Sequence, residues 1–165
     1  MSKEHFYKAQ VVWTGNEGAG TKSYTAYSRA HEISGNGKDT ILGSADPIYR
    51  GDASRYNPEE LVVGAISGCH MLWYLHLCAD AGIVVIDYRD EGTGKLEVSD
   101  DGNGKFAEVT INPRVTITIE SNADLAKVLH DKAHEFCFIA NSVNFPVTYK
   151  PTIVFESEKA AAKQK

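Results

Sequence analysis

From Leu61 to Ala81 the chain is apolar or small on nearly every helical face, and no other stretch restricts the fold as much. The start of a helix is written just before it, in Asn57-Pro58-Glu59-Glu60. Asn57 suits the N-cap, Pro58 the first helical position, and Glu60 is placed to reach back as the carboxylate of a capping box. Gly82 supplies the stop. Such a helix of about 24 residues is about 36 Å long at 1.5 Å per residue. A helix apolar all round is expected to be buried on all sides. His70, His76 and the two preceding glutamates argue against a membrane span. A chain of 165 residues is one domain by length. Enclosing so long an apolar rod strains a single domain, so a second subunit is expected to cover part of it.

The segments around this helix read as strands and turns. Phe6–Trp13 and Lys22–Ala30 are short, partly alternating and rich in aromatic or β-branched residues, separated by the glycines from Gly15 to Gly20. Gly35-Asn36-Gly37 marks a turn, Asp39–Leu42 a further short strand, and Ser44–Tyr56 a loop. After the helix, Ile83–Glu91 pairs with Lys95–Ser99, and Phe106–Ile119 follows the turn Asp100–Gly104. Asn122–Phe136 has a single apolar stripe of Leu125, Val128, Leu129, Ala133 and Phe136, the mark of an amphipathic helix. Phe145–Phe155 closes the chain as a strand, and Pro146 and Pro151 place it at an edge. The order gives an α+β fold, antiparallel sheets packed on a long central helix. The domain is expected over residues 1–157, with a polar tail over 158–165.

Net charge −5 and an isoelectric point near 5.7, with no basic stripe, exclude nucleic acid as an expected partner. The first residues, Met1 to His5, carry no apolar signal segment. Three cysteines are an odd and low count, which fits a reducing, cytoplasmic location where thiols persist.

Cys69 lies in the middle of the long helix among Ala65, Ser67 and Gly68. A buried thiol there is either a small core hydrophobe or a reactive group. Gly64 and Gly68 share one face, and each costs about 1 kcal/mol relative to alanine inside a helix. Close approach of another backbone or of a ligand would justify them. Cys78 is nine residues on, about 180° around the helix, and reads as structural. Cys137 ends the second helix, where it is either packing or a second thiol. His70 points about 100° away from Cys69 and reads as a packed or interface histidine. His130, His134 and Cys137 have a spacing that zinc could use, but no further ligand completes the set, and both histidines are expected on the wet side of the stripe.

The run RGDASRYNPEELVVGAISGCH, together with His134-Glu135-Phe136-Cys137, resembles the signature of the OsmC/Ohr family of osmotically inducible and organic hydroperoxide resistance proteins. The order of elements matches that family from the first strands to Phe155. The resemblance implies an intertwined homodimer and a cysteine-based peroxidase acting on organic hydroperoxides in oxidative or osmotic stress. By that resemblance Cys69 is peroxidatic, Cys137 resolves it, and Glu59 with an arginine of the preceding loop activates it. Arg50 is the favoured arginine and Arg55 competes. An external dithiol of lipoyl type is the implied reductant, and no metal or organic cofactor is called for.

The chemistry of the residues is compatible with these roles. A thiol attacks peroxide as thiolate, and a thiol with pKa near 8.5 is mostly protonated at neutral pH. Cys69 is too far from the helix N-terminus to benefit from it, so a cation that cannot lose its proton is needed, and a carboxylate would orient that cation. Glu59 and Cys69 are ten residues apart, about 15 Å along a straight helix, which predicts a site shared between two chains. An alternative function is a non-catalytic protein that binds an apolar small molecule in the same interface pocket, walled by Trp73 and Tyr74.

Overall fold

A computed structural model describes residues 3–156, so the predicted tail over 158–165 lies outside the described residues. The chain divides into two compact units, Met1–Leu61 and Val62–Lys165.

In the first unit, β1 (Gln10–Trp13), β2 (His31–Ser34) and β3 (Ile41–Gly43) form an antiparallel sheet in that order. β2 and β3 are joined through the predicted turn. Asn36 and Gly37 both have positive φ, and Lys38 N donates to Gly35 O at 3.1 Å. Asparagine and glycine are the residues that accept this left-handed geometry most readily. The predicted strand over Lys22–Ala30 is not formed. The guanidinium of Arg29 lies over the rings of both Tyr24 and Tyr27, 4.2 and 4.3 Å from their centroids. It also donates to the backbone carbonyls of Tyr27 (2.6 Å) and Tyr24 (2.7 Å). These bonds use backbone acceptors that a strand would give to a neighbour, and the segment curls on itself. Its ends are closed by Thr14 N to Ala30 O and Ser28 N to Gly15 O, both 2.9 Å.

The long helix α1 runs from Pro58 to Asp80. Its predicted capping box is present. Glu60 N donates to Asn57 Oδ1 at 2.7 Å, and Asn57 N donates to Glu60 Oε2 at 3.0 Å. The helix stops where Gly82 adopts a φ of 71°, with Ile83 N returning to Cys78 O at 2.9 Å.

In the second unit α1 contributes Ile66, His70, Tyr74 and Cys78 to the interior, one residue per turn along a single face. The helix is long and apolar enough to cross a membrane by length and composition, and this buried row makes it a core helix. The expectation of burial on all sides does not hold within the chain. Leu72, away from that row, is 65% exposed. Among the described residues outside the helix's own backbone, nothing lies within 4 Å of where a Cβ on Gly64 or Gly68 would sit, so none of them explains these glycines by close approach.

Six strands follow: β4 (Val85–Asp90), β5 (Thr93–Val98), β6 (Gly104–Ile111), β7 (Pro113–Ile117), β8 (Val147–Tyr149) and β9 (Thr152–Phe155). They form two three-stranded sheets, β4-β7-β9 and β5-β6-β8. The predicted pairing of the first two strands is corrected, because β4 pairs with β7 while β5 forms a hairpin with β6. The long predicted strand Phe106–Ile119 is interrupted at Asn112. There Asn112 N donates to Asp90 Oδ1 at 2.6 Å and its side-chain amide donates to Glu91 O at 2.9 Å. The last predicted strand is likewise two, β8 and β9, separated at Lys150 and Pro151 and running parallel to β6 and β7. Both lie at sheet edges, as the prolines predict.

Helix α2 runs from Ala123 to Phe136, and the Asn122 side chain caps it by accepting from Leu125 N at 3.0 Å. The larger core cluster unites α1, β7 and α2 through Tyr74, Cys78, Val115, Ile117, Ala126, Leu129 and Ala133. A second cluster unites α1 with β6 through Ile66, Val109 and Ile111.

Candidate functional site

The site in the second unit begins with the contact of α1 and the C-terminal end of α2. Cys137 is the C-cap of α2 and is buried. Its Sγ lies 4.0 Å from the carbonyl oxygen of Ile66 and accepts from Ala140 N at 3.5 Å. The thiol of Cys69 is near enough to perturb it. The two cysteines separated by 68 positions in sequence are therefore brought together by tertiary packing, and both are free thiols. Burial, reinforced by the neighbouring Cys69 thiol, pushes Cys137 up to about 11. At neutral pH it is a protonated, sheltered thiol.

Cys69 is half-buried and opens onto an apolar cavity of about 320 Å³, lined by Cys69, Leu72, Trp73, His76 and Phe138. Trp73 is the fixed wall. It stacks on Phe136 with centroids 5.2 Å apart and meets Phe138 edge to face at 5.5 Å. Tyr74 does not share this wall. It is fully buried in the core, where it contacts Cys78. Burial raises the Cys78 thiol, which is what an inert structural cysteine requires.

His70 and His130 form a buried pair. His70 Nε2 and His130 Nδ1 are 2.9 Å apart, and the rings are nearly parallel. His130 is fully buried, which corrects its expected place on the wet side of α2. Its ring packs on Tyr74 with centroids 3.8 Å apart, so the helix turns this imidazole inward. His130 is thereby committed to His70 rather than to a zinc set with His134 and Cys137. Among the described residues no group of three or more histidine, cysteine or carboxylate side chains is placed to hold a metal.

In the first unit, Arg50 is exposed and has a φ of 64°, closing the short 3₁₀ turn Pro47–Tyr49. Its neighbour in the competition, Arg55, meets Asp52 at 3.6 Å. Glu59 instead lines a cavity of about 340 Å³ with Trp13, Tyr27, Arg29, His31 and Tyr49. Arg29 is thus the arginine that shares a cavity with Glu59, and sequence reasoning passed over it. The available signal was the pair Tyr24 and Tyr27 just before it, an aromatic setting that holds a guanidinium by cation–π contact.

The family model described as OsmC-like protein matches residues 51–151. The chain belongs to the OsmC-like family. Among solved structures, it is 31% identical to an OsmC-like protein of unknown function from Vibrio cholerae, with a TM-score of 0.79, covering 90% of this chain and 100% of that one. An organic hydroperoxide resistance protein from Bacillus subtilis is 24% identical with a TM-score of 0.59, covering 88% of this chain and 98% of that one. A further organic hydroperoxide resistance protein, from Legionella pneumophila, is 18% identical with a TM-score of 0.63, covering 91% and 98%. No curated protein matches the chain. The OsmC-like assignment agrees with the fold expected from the Asn57–Cys69 run, and the likeness of the two hydroperoxide resistance proteins is one of fold.

Proposed function

We propose that this OsmC-like protein is a cysteine-based peroxidase for organic hydroperoxides, working in a reducing compartment as part of stress defence. The observation that carries this reading is the proximity of two free thiols, one facing an apolar cavity and the other buried. Family membership and the hydroperoxide resistance proteins among its structural relatives support a redox or stress-related role.

In the proposed cycle the Cys69 thiolate attacks one oxygen of the hydroperoxide. The O–O bond breaks, the alkoxide leaves and takes a proton, and the sulfur becomes a sulfenic acid, oxidised by two electrons. The Cys137 sulfur then attacks the Cys69 sulfur, water leaves, and a disulfide forms. An external dithiol, lipoyl-type by family resemblance, reduces that disulfide by exchange. The apolar walls favour a peroxide with a hydrocarbon group over hydrogen peroxide. Glu59 and an arginine are the proposed activators. Arg50 and Arg55 come from the resemblance, and Arg29 joins them because it shares a cavity with Glu59.

The working unit in this reading is a homodimer. Leu72 and Phe138 are each 65% exposed beside the cavity, and the open face at Gly64 and Gly68 leaves room for a second chain. Apolar patches of this kind are a normal feature of protein interfaces.

Stopped-flow oxidation with cumene hydroperoxide tests the reading. Wild type is expected to lose two thiols and to give a Cys69–Cys137 disulfide by mass spectrometry. Cys69→Ser is expected to be inert, Cys137→Ser to stop at the sulfenic acid, and Cys78→Ser to react like wild type. Comparing Arg29→Met, Arg50→Met and Arg55→Met identifies the activating arginine by the largest loss in rate. A Cys69→Ser variant that consumes hydroperoxide at the wild-type rate would overturn the peroxidase. Saturable binding of an apolar ligand without thiol oxidation would favour the non-catalytic binding protein instead.

A further inference from the structure

The buried imidazole pair lies on the same two helices as the thiols. His70 follows Cys69 directly on α1, and His130 precedes Cys137 by seven residues on α2, two turns along the same face and about 10 Å. We propose that the hydrogen bond between His70 and His130 is a positioning device that holds α2 in register on α1, so that the Cys69 and Cys137 sulfurs meet.

A disulfide forms only when the two Cα atoms come within about 7 Å and the side chains face each other. A slide of α2 by one residue moves it about 1.5 Å along its axis and turns Cys137 about 100° away. The rest of this contact is apolar: Tyr74, Cys78, Leu129 and Ala133 belong to one cluster. Apolar burial is non-directional and does not by itself choose a register. The imidazole bond is directional, and at 2.9 Å with near-parallel rings it has one good geometry. Tyr149 flanks the His70 ring at 5.6 Å and Tyr74 flanks the His130 ring at 3.8 Å, which fixes both planes.

The pair is poorly suited to a purely stabilising role. His70 Nδ1 and His130 Nε2 are buried with no hydrogen-bond partner among the described residues. Two apolar side chains of similar volume would fill the space without leaving polar atoms unsatisfied. A polar pair kept at that cost acts in specifying a geometry. The bond also requires one ring to accept, so the accepting imidazole must be neutral. Burial favours the neutral form of both rings, aided by repulsion from His134 toward His70 and from His70 toward His130, and opposed by Asp90 and Asp131.

The inference uses the two-thiol part of the proposed function and can be separated from the peroxidase part by choice of oxidant. Diamide oxidises two neighbouring thiols to a disulfide while its N=N bond takes up both hydrogens, so closure reports sulfur approach without any peroxide. His70→Leu/His130→Leu and His130→Phe remove the bond, and the phenyl ring keeps the stack on Tyr74. Both are expected to close the Cys69–Cys137 disulfide at least tenfold more slowly. Alkylation of Cys69 by iodoacetamide, read by mass spectrometry, is expected to stay within twofold of wild type. His70→Gln and His130→Asn put an amide nitrogen near the Nε2 and Nδ1 positions and are expected to restore closure to within threefold. Wild-type closure rates in either folded variant that lacks the bond would overturn the positioning role, and so would failure of both amide variants to restore closure. A wild type that diamide cannot close would overturn the thiol pairing, and with it this inference. Inertness to hydroperoxide with intact diamide closure would sink the peroxidase and leave the positioning role standing.

Discussion

Acid should unfold this protein through its buried imidazoles well before its surface carboxylates matter. Burial pushes His70 down to about 4 and His130 down to about 3, from an ordinary value of 6.5. In the unfolded chain both rings take up a proton as pH falls through about 6.5, while in the native protein they stay neutral until about 4 and 3. The unfolded state therefore binds more protons between those limits, so stability is full above about pH 7 and falls as pH falls. One proton difference is worth about 1.4 kcal/mol per pH unit. From pH 7 to pH 5 each histidine removes about 2 kcal/mol, and the pair about 4 kcal/mol. Below the native values the loss levels off. The carboxyls of Asp52, Glu97 and Asp101 are held below their usual range by hydrogen bonds from Ser54, Lys95 and Ser99 respectively, so their contributions are lost only at lower pH. Urea unfolding at one protein concentration, at pH 7.0, 6.0 and 5.0, measures the effect. His70→Leu/His130→Leu should flatten the dependence over this range. A wild type that changes by less than about 1 kcal/mol between pH 7 and 5, or a double variant that falls as steeply as wild type, would refute the linkage reasoning.

Three further outcomes follow from single contacts. Asn122→Ala removes the cap on Leu125 N and should cost about 1 kcal/mol in urea unfolding. Gly51→Ala drives a Cβ into the Ala45 backbone, and it should destabilise the first unit by about 1–3 kcal/mol, seen as faster amide exchange across residues 3–61. Leu72→Asp replaces an exposed side chain and should change the fold's intrinsic stability by no more than about 0.5 kcal/mol. It should nevertheless halve the mass measured by analytical ultracentrifugation if α1 carries the dimer contact, and a monomeric wild type would refute that contact.

Much of the fold was legible because its signals are local. The cap of α1 lies in four adjacent residues, and its bonds from Asn57 and Glu60 form as their spacing predicts. The turn at Gly35–Lys38 and the glycine stop at Gly82 are equally local. Strand pairing was not legible, since β4 must choose between β5, which follows it, and β7, which is distant in sequence, and no local signal records that it pairs with β7. Lys22–Ala30 misleads for a related reason. Its aromatic, β-branched composition reads as strand, but Arg29 binds the backbone and rings of its own segment.

The site divides in the same way. Helical phase separates Cys78 from Cys69, and the run ending in Cys69 marks the OsmC-like family without any coordinates. The second helix was readable from its period, but its buried face was not: of the predicted stripe only Leu129 and Ala133 are buried, whereas Leu125, Val128 and Phe136 are exposed and Ala126 and His130 turn inward instead. His130 is buried because Tyr74 and His70 of another helix receive it, and no pattern within α2 records that. The sequence by itself determined the long core helix, its cap, the second helix and the family, all written in neighbouring residues. Only the tertiary structure decided that Cys69 meets Cys137, that His70 meets His130, and that Arg29 and Glu59 line one cavity. Those meetings depend on how separate elements pack in three dimensions, where distance along the chain carries no information about distance in space.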